Sequence, residues 1–117
     1  MARRPVAPDA GDVLWVDLGD PVGHEQGGRR PAVVLTQQAY NVGSSVFLVC
    51  PITRTRRNWP FEVNLPSVGR LNGVVLVDQI RVVDSRSRPV GYVGRVSVDV
   101  LDQIKAKLAA LLGLDAV

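Results

Sequence analysis

The sequence predicts a mainly β (α+β) domain, a small β-barrel with a C-terminal amphipathic helix. Three observations carry this. Short apolar, β-branched runs recur from Val13 to Val96, each cut off by Gly, Pro, Asn or Asp. After Ser97 the pattern changes, and Leu101, Ile104, Leu108 and Leu111 recur at helical spacing. No repeat, linker or low-complexity stretch interrupts the chain, so residues 1–117 read as one domain. Many short strands bury themselves most simply by closing on one another.

Residues 1–10, with Arg3, Arg4, Pro5 and Pro8, read as a loose arm. Val13–Leu18 is a first strand and Gly19–Arg30 a loop. Pro31–Thr36 is a second strand. Tyr40–Ser45 holds turn formers. Val46–Pro51, apolar throughout, is a third strand and a central one. Ile52–Pro60 is a polar loop with three arginines and Trp59. Phe61–Leu65 alternates as a strand with one wet face. Pro66–Asn72 is a turn-rich connection. Gly73–Val77 is a buried strand that Asp78–Val83 continues after a polar break. Asp84–Pro89 is a basic loop and Gly91–Val96 a final strand. Ser97 caps a helix over 98–112, Asp99 and Asp102 suit its N-terminal dipole, and Gly113 ends it. Lys105 and Lys107 fall on its outer face.

At 46% hydrophobic content with few aromatics, the core must be Val, Leu and Ile. The single cysteine, Cys50, lies in an apolar run and reads as a small buried hydrophobe. One Cys and one His exclude an internal disulfide and a Cys/His metal cluster, and no cofactor is expected. No apolar run approaches a membrane span and no signal-peptide core opens the chain, so a cytoplasmic protein is expected. The net charge is +3, and 12 of the 14 basic residues are Arg. Arg makes forked contacts to phosphate and stacks on bases, which points to a polyanionic partner, although a solvated surface has the same counts.

One stretch concentrates titratable groups. Gly23-His24-Glu25-Gln26-Gly27-Gly28-Arg29-Arg30-Pro31 is a flexible loop running into Ala32-Val33-Val34-Leu35. Charged groups on a loop anchored by a rigid strand make a common build for a catalytic or binding site, and plain loops share the composition. Gly19–Gly28 has little to pack with, so it is expected to be disordered or variable until a ligand orders it.

Four segments then carry a resemblance: Gly11–Val16; Gly23–Val34; Cys50-Pro51-Ile52-Thr53; and Gly73–Gln79, which ends in Asp78-Gln79. In this order they resemble the MazF/PemK family of toxin endoribonucleases, over roughly residues 11 to 112. The resemblance implies an SH3-like barrel that forms a homodimer. It implies metal-independent cleavage of single-stranded RNA at a short sequence. The ribose 2′-OH attacks the adjacent phosphate, leaving a 2′,3′-cyclic phosphate and a 5′-OH. It also implies an antitoxin whose acidic tail lies over the RNA groove.

On this resemblance Arg30 matches the catalytic arginine, whose fork can hold two phosphate oxygens where charge develops. Thr53 matches the catalytic threonine, a hydroxyl donor to a phosphoryl oxygen. His24 matches a histidine of the PemK branch and suits proton transfer. Glu25 matches the loop glutamate, either a base or an orienter of an arginine. Solvated loop roles stand beside both. PemK-type members carry an arginine two residues before the Asp of Asp-Gln as general acid; here that position is Leu76. The acid role passes to Arg30, although an arginine is a poor proton donor at pH 7. Arg29, Arg54, Arg56, Arg57, Asp78, Gln79 and Arg86 are candidates for RNA contact. Trp59, beside the arginines, either stacks on a base or packs on the core. Two other functions share such a barrel: a CcdB-like toxin that binds DNA gyrase, and an RNA-binding barrel without catalysis.

Overall fold

A computed structural model describes residues 7–24, 26–85 and 90–114. The chain runs β1 (Asp12–Asp17), β2 (Arg29–Val34), α1 (Gln38–Gly43), β3 (Val46–Thr53), β4 (Glu62–Val68), β5 (Leu71–Leu76), β6 (Arg81–Asp84), β7 (Gly91–Arg95) and α2 (Val98–Leu112). The strands form one antiparallel sheet in the order β4-β5-β3-β2-β1-β7, with β6 also on β3. It curls into the small, partly open barrel that the sequence predicts.

Strand β3 is the spine because it is long and apolar. One edge pairs with β2, Val33 opposite Cys50. The other is shared: its first half takes β6 and its end takes β5. Val75 pairs with Ile52, so an unbroken strand would set Asp78 opposite Val49; Arg81 stands there instead. Three extra residues are thus pushed out of the ladder between β5 and β6, as in an enlarged bulge. The polar break expected at Asp78-Gln79 is this expulsion.

Alternation along the strands gives two cores. Val13, Val33, Cys50, Ile52 and Val75 pack with Val100 and Ile104 of α2. Leu14, Val16, Ala32, Val34, Phe47 and Val83 form the other. Cys50 is fully buried as expected, and burial, with the charge of Asp78, pushes its thiol up to about 12. It is a packed hydrophobe and carries no thiolate at neutral pH. Ser97 Oγ caps α2 by accepting from Val100 N, and Gly113, left-handed at φ 70°, ends it. Leu111 of the predicted apolar stripe is exposed, because the last turn overhangs the sheet.

Several local expectations give way to tertiary contacts. The turn expected at Tyr40–Ser45 is the short helix α1, tied in by buried Asn41. Its amide donates to Pro8 O (2.7 Å) and Thr36 O (2.8 Å), and its oxygen accepts from Thr36 Oγ1. Residues 7–10 are fastened rather than loose: Gln38 Nε2 donates to Ala7 O, Gln38 N donates to Asp9 Oδ1, and Arg95 binds Ala10 O. Residues 1–6 lie outside the described residues. Strand β4 runs through Pro66, since β4 is an edge strand and its register shifts between Leu65 and Val68. The hairpin turns at Gly69-Arg70 instead, where Gly69 has φ 58°. Lys107 reaches Pro60 O instead of facing only solvent.

Candidate active site

Strand pairing brings the two central residues together. Ala32 of β2 pairs with Pro51 of β3, and the same register carried two residues further sets Arg30 opposite Thr53. Both therefore project from strand ends on a rigid part of the sheet. Two cavities of about 460 and 430 Å³ adjoin here, and Arg30, Thr53 and Thr55 line both. The first is otherwise walled by Trp15, Arg29, Arg54 and Asn72, the second by His24, Arg57, Trp59 and Asp78. The result is one groove with an arginine and a threonine at its waist and cations along both halves.

Each waist residue is held. Arg30 Nε donates to Gly27 O at 3.0 Å, and the residue lines both cavities, so its η nitrogens can serve a phosphate as a fork. Thr53 is buried, and its Oγ1 accepts from Thr55 N at 3.3 Å, so its own proton is available to a ligand. Its carbonyl lies against Gly73, where a Cβ would stand 2.2 Å from Thr53 O. Only glycine permits that approach, and Gly73 also has φ +139°.

The expectation of a loose Gly19–Gly28 loop is overturned among its described residues. Leu18 N and Gly28 O bond at 2.9 Å, and Gly28 N donates to Gly19 O. Gln26 N donates to Gln79 Oε1 at 2.9 Å, Gln79 Nε2 to His24 O at 3.4 Å, and Arg81 to both Gln26 O and Leu18 O. Local composition had pointed the other way because all these side-chain partners come from more than fifty residues downstream.

The predicted site residues distribute as follows. His24 is exposed on the rim of the second cavity, and Asp78 and Gln79 line it as well. Gln79 spends its amide on the loop backbone. Asp78 Oδ2 accepts from Trp59 Nε1 at 2.8 Å. Trp59 is 51% exposed, lines the second cavity and lies tilted against Phe61 at 6.1 Å, while its polar edge is tethered to Asp78. Arg29 stands over the Trp15 ring at 5.7 Å. Arg54 and Arg57 border the groove, while Arg56 turns away to Asn64 of β4. Leu76, in place of the PemK-type arginine, lines the second cavity and leaves it without that cation. Glu25 and Arg86 lie outside the described residues. Thr55 and Arg81 were missed in the sequence, which shows no periodicity or motif that marks them, and Gly73 was read only as the start of a buried strand and of a matching segment; pairing across the sheet reveals their place.

A family model described as PemK-like, MazF-like toxin of type II toxin-antitoxin system matches residues 9–112. The endoribonuclease toxin MazF of Escherichia coli strain K12 is 42% identical over 106 residues, 91% of this chain and 95% of that one. The crystal structure of MazF from Deinococcus radiodurans superposes with a TM-score of 0.85 at 44% identity, covering 92% of this chain and 98% of the other. A mycobacterial endoribonuclease in complex with its cognate antitoxin superposes at 0.78 with 28% identity, covering 93% and 98%. Fold and sequence coverage coincide, and the chain belongs to the family of PemK-like, MazF-like toxins of type II toxin–antitoxin systems.

Proposed function

We propose that the chain is a sequence-specific, metal-independent endoribonuclease toxin acting on single-stranded RNA. The observation that supports this best is the pairing of Arg30 with Thr53 at the waist of an arginine-lined groove. A phosphodiester crossing the waist meets the Arg30 fork and the Thr53 hydroxyl. The ribose 2′-oxygen attacks phosphorus, the P–O5′ bond breaks, and the products are a 2′,3′-cyclic phosphate and a 5′-OH. Arg30 supplies positive charge where the phosphorane gathers negative charge, which is the work a metal does in other nucleases. His24 and Glu25 are the candidates for accepting the 2′-OH proton, and Arg30 is the candidate for giving the leaving 5′-oxygen its proton. Arg29, Arg54, Arg57, Asp78 and Gln79 border the path of the strand, Arg56 adds positive charge beyond it, and Arg86, outside the described residues, is a further candidate for RNA contact.

The protein works in this reading as a homodimer, restrained by a cognate antitoxin whose acidic tail competes with RNA for the same arginines. The relative solved with its antitoxin supports that partner.

The test is incubation with a long RNA in EDTA, followed by mapping of fragment ends. Discrete fragments with 5′-OH ends are expected. A gel shift without cleavage would favour a non-catalytic RNA-binding barrel, and neither cleavage nor shift would favour a CcdB-like toxin acting on gyrase. A substrate with one deoxyribose 5′ of the cut should bind and stay intact. Its cleavage would mean an activated water attacks instead.

A further inference from the structure

Arg81 lies outside the segments that carry the catalytic candidates, yet its contacts lead to Arg30. Its two η nitrogens donate to Gln26 O (2.9 Å) and Leu18 O (2.7 Å), one carbonyl on each arm of the β1–β2 loop. Gln79, two residues earlier, takes Gln26 N on its oxygen and gives its Nε2 proton to His24 O. Gln26 N and Gln26 O are therefore gripped from the β5–β6 connection and the first residue of β6. The next residue is Gly27, whose carbonyl accepts from Arg30 Nε. Gly27 also leaves the loop little room to relax, since a Cβ there would stand 2.5 Å from Pro21 N and 2.8 Å from Gly19 O.

We propose that Arg81, with Gln79, is a positioning residue for RNA cleavage, clamping the β1–β2 loop so that Gly27 O aims the Arg30 guanidinium at the phosphate. Neither side chain needs to touch the reacting atoms. The three-residue expulsion between β5 and β6 is what brings the clamp to the loop, since an unbroken strand would place Asp78 where Arg81 stands. A fork suits the task because it can hold two carbonyls at a fixed separation, whereas an ammonium holds one well. Misplacing a catalytic group by about 1 Å can cost on the order of 100-fold in rate.

The inference rests on the endoribonuclease reading, and the experiment keeps the two separate. The full chain and its Arg81→Ala, Arg81→Lys and Gln79→Ala variants are compared by steady-state cleavage of a short RNA and by amide hydrogen exchange. Arg81→Ala and Gln79→Ala should each lower kcat by about 10- to 100-fold, and Arg81→Ala, at a residue that lines neither cavity, should leave KM nearly unchanged. Arg81→Lys should recover part of the rate. In both alanine variants the Gln26 and Gly28 amides should exchange faster, while Leu35, bonded to Leu48 O, keeps its protection. Wild-type kcat in a variant whose loop amides exchange fast would overturn the positioning role, and unchanged exchange at Gln26 and Gly28 would overturn the clamp. If Arg81→Ala loses protection at Leu35 as well, Gln79→Ala decides by the same two readouts. A wild-type chain that cleaves no RNA would sink the nuclease reading, and the exchange data would still judge the clamp.

Discussion

The two loops that flank the groove are built differently. Beyond Leu18, which is buried in the second core, the β1–β2 loop has no buried side chain among its described residues, yet part-buried Gln79 and Arg81, more than fifty residues away, hold its backbone. The β3–β4 loop, Arg54–Phe61, is folded mostly on itself. The Glu62 carboxylate accepts from Arg57 N, Glu62 N donates to Trp59 O, and the Trp59–Asp78 bond is exposed. Exposed hydrogen bonds compete with water and add little, whereas buried ones leave expensive orphans when broken. The first loop is thus a fixture for Arg30, and the second is a tethered surface that can adapt to what lies on it. In the proposed reading, this difference separates a part that sets rate from a part that sets affinity.

The strongest way to break that division is at the fixture's end point. Arg30→Lys keeps the charge and loses the fork, and cleavage should fall by about 100- to 1,000-fold with RNA affinity much less affected. Near-wild-type cleavage would remove Arg30 from the waist chemistry. Next is Gly27→Ala, which drives a Cβ into the backbone of Pro21 and Gly19. The loop must open, and kcat should drop by roughly 10- to 100-fold while the Trp59 indole N–H resonance, reporting the other loop, stays put. A matching change at Trp59 would show that the loops move as one.

Trp59→Ala probes the adaptable side. Loss of the indole should weaken RNA binding by about 1–3 kcal/mol, the range for one base on an aromatic platform, with kcat on saturating RNA nearly unchanged. A kcat defect at saturation would contradict the division.

The smallest effect serves as a control away from the groove. Hydrogen bonds from the Gln38 backbone, then from Ala10, and the charge of Arg95 hold the Asp9 carboxyl below its usual 3.8, against the cost of its partial burial. The folded value lies below the unfolded one, so the fastening of residues 7–10 stabilises the fold above pH 3.8 and is lost as pH falls through the lower folded value. Asp9→Asn should flatten the acid limb of the stability curve. Its Arg95 pair, at 3.9 Å and half exposed, contributes little. An unchanged acid limb would show that this fastening does not titrate.

Much of the molecule is already determined by local pattern. Alternating and continuous apolar runs name the strands because a pleated chain buries every second side chain, and the helix over 98–112 announces itself by spacing, an N-cap serine and a terminal glycine. Arg30 and Thr53 are legible because they sit in segments that resemble known ones. What the tertiary structure decided is everything that depends on which strand lies beside which. Arg30 faces Thr53 only because β2 and β3 pair in one register. Asp78 and Gln79 enter the groove only because three residues leave the ladder between β5 and β6. The loop that local composition marks as loose is held by Gln79 and Arg81, since hydrogen bonds between residues so far apart in sequence leave no trace in either neighbourhood. Propensity acts over a few residues, and register and clamping act over the whole sheet.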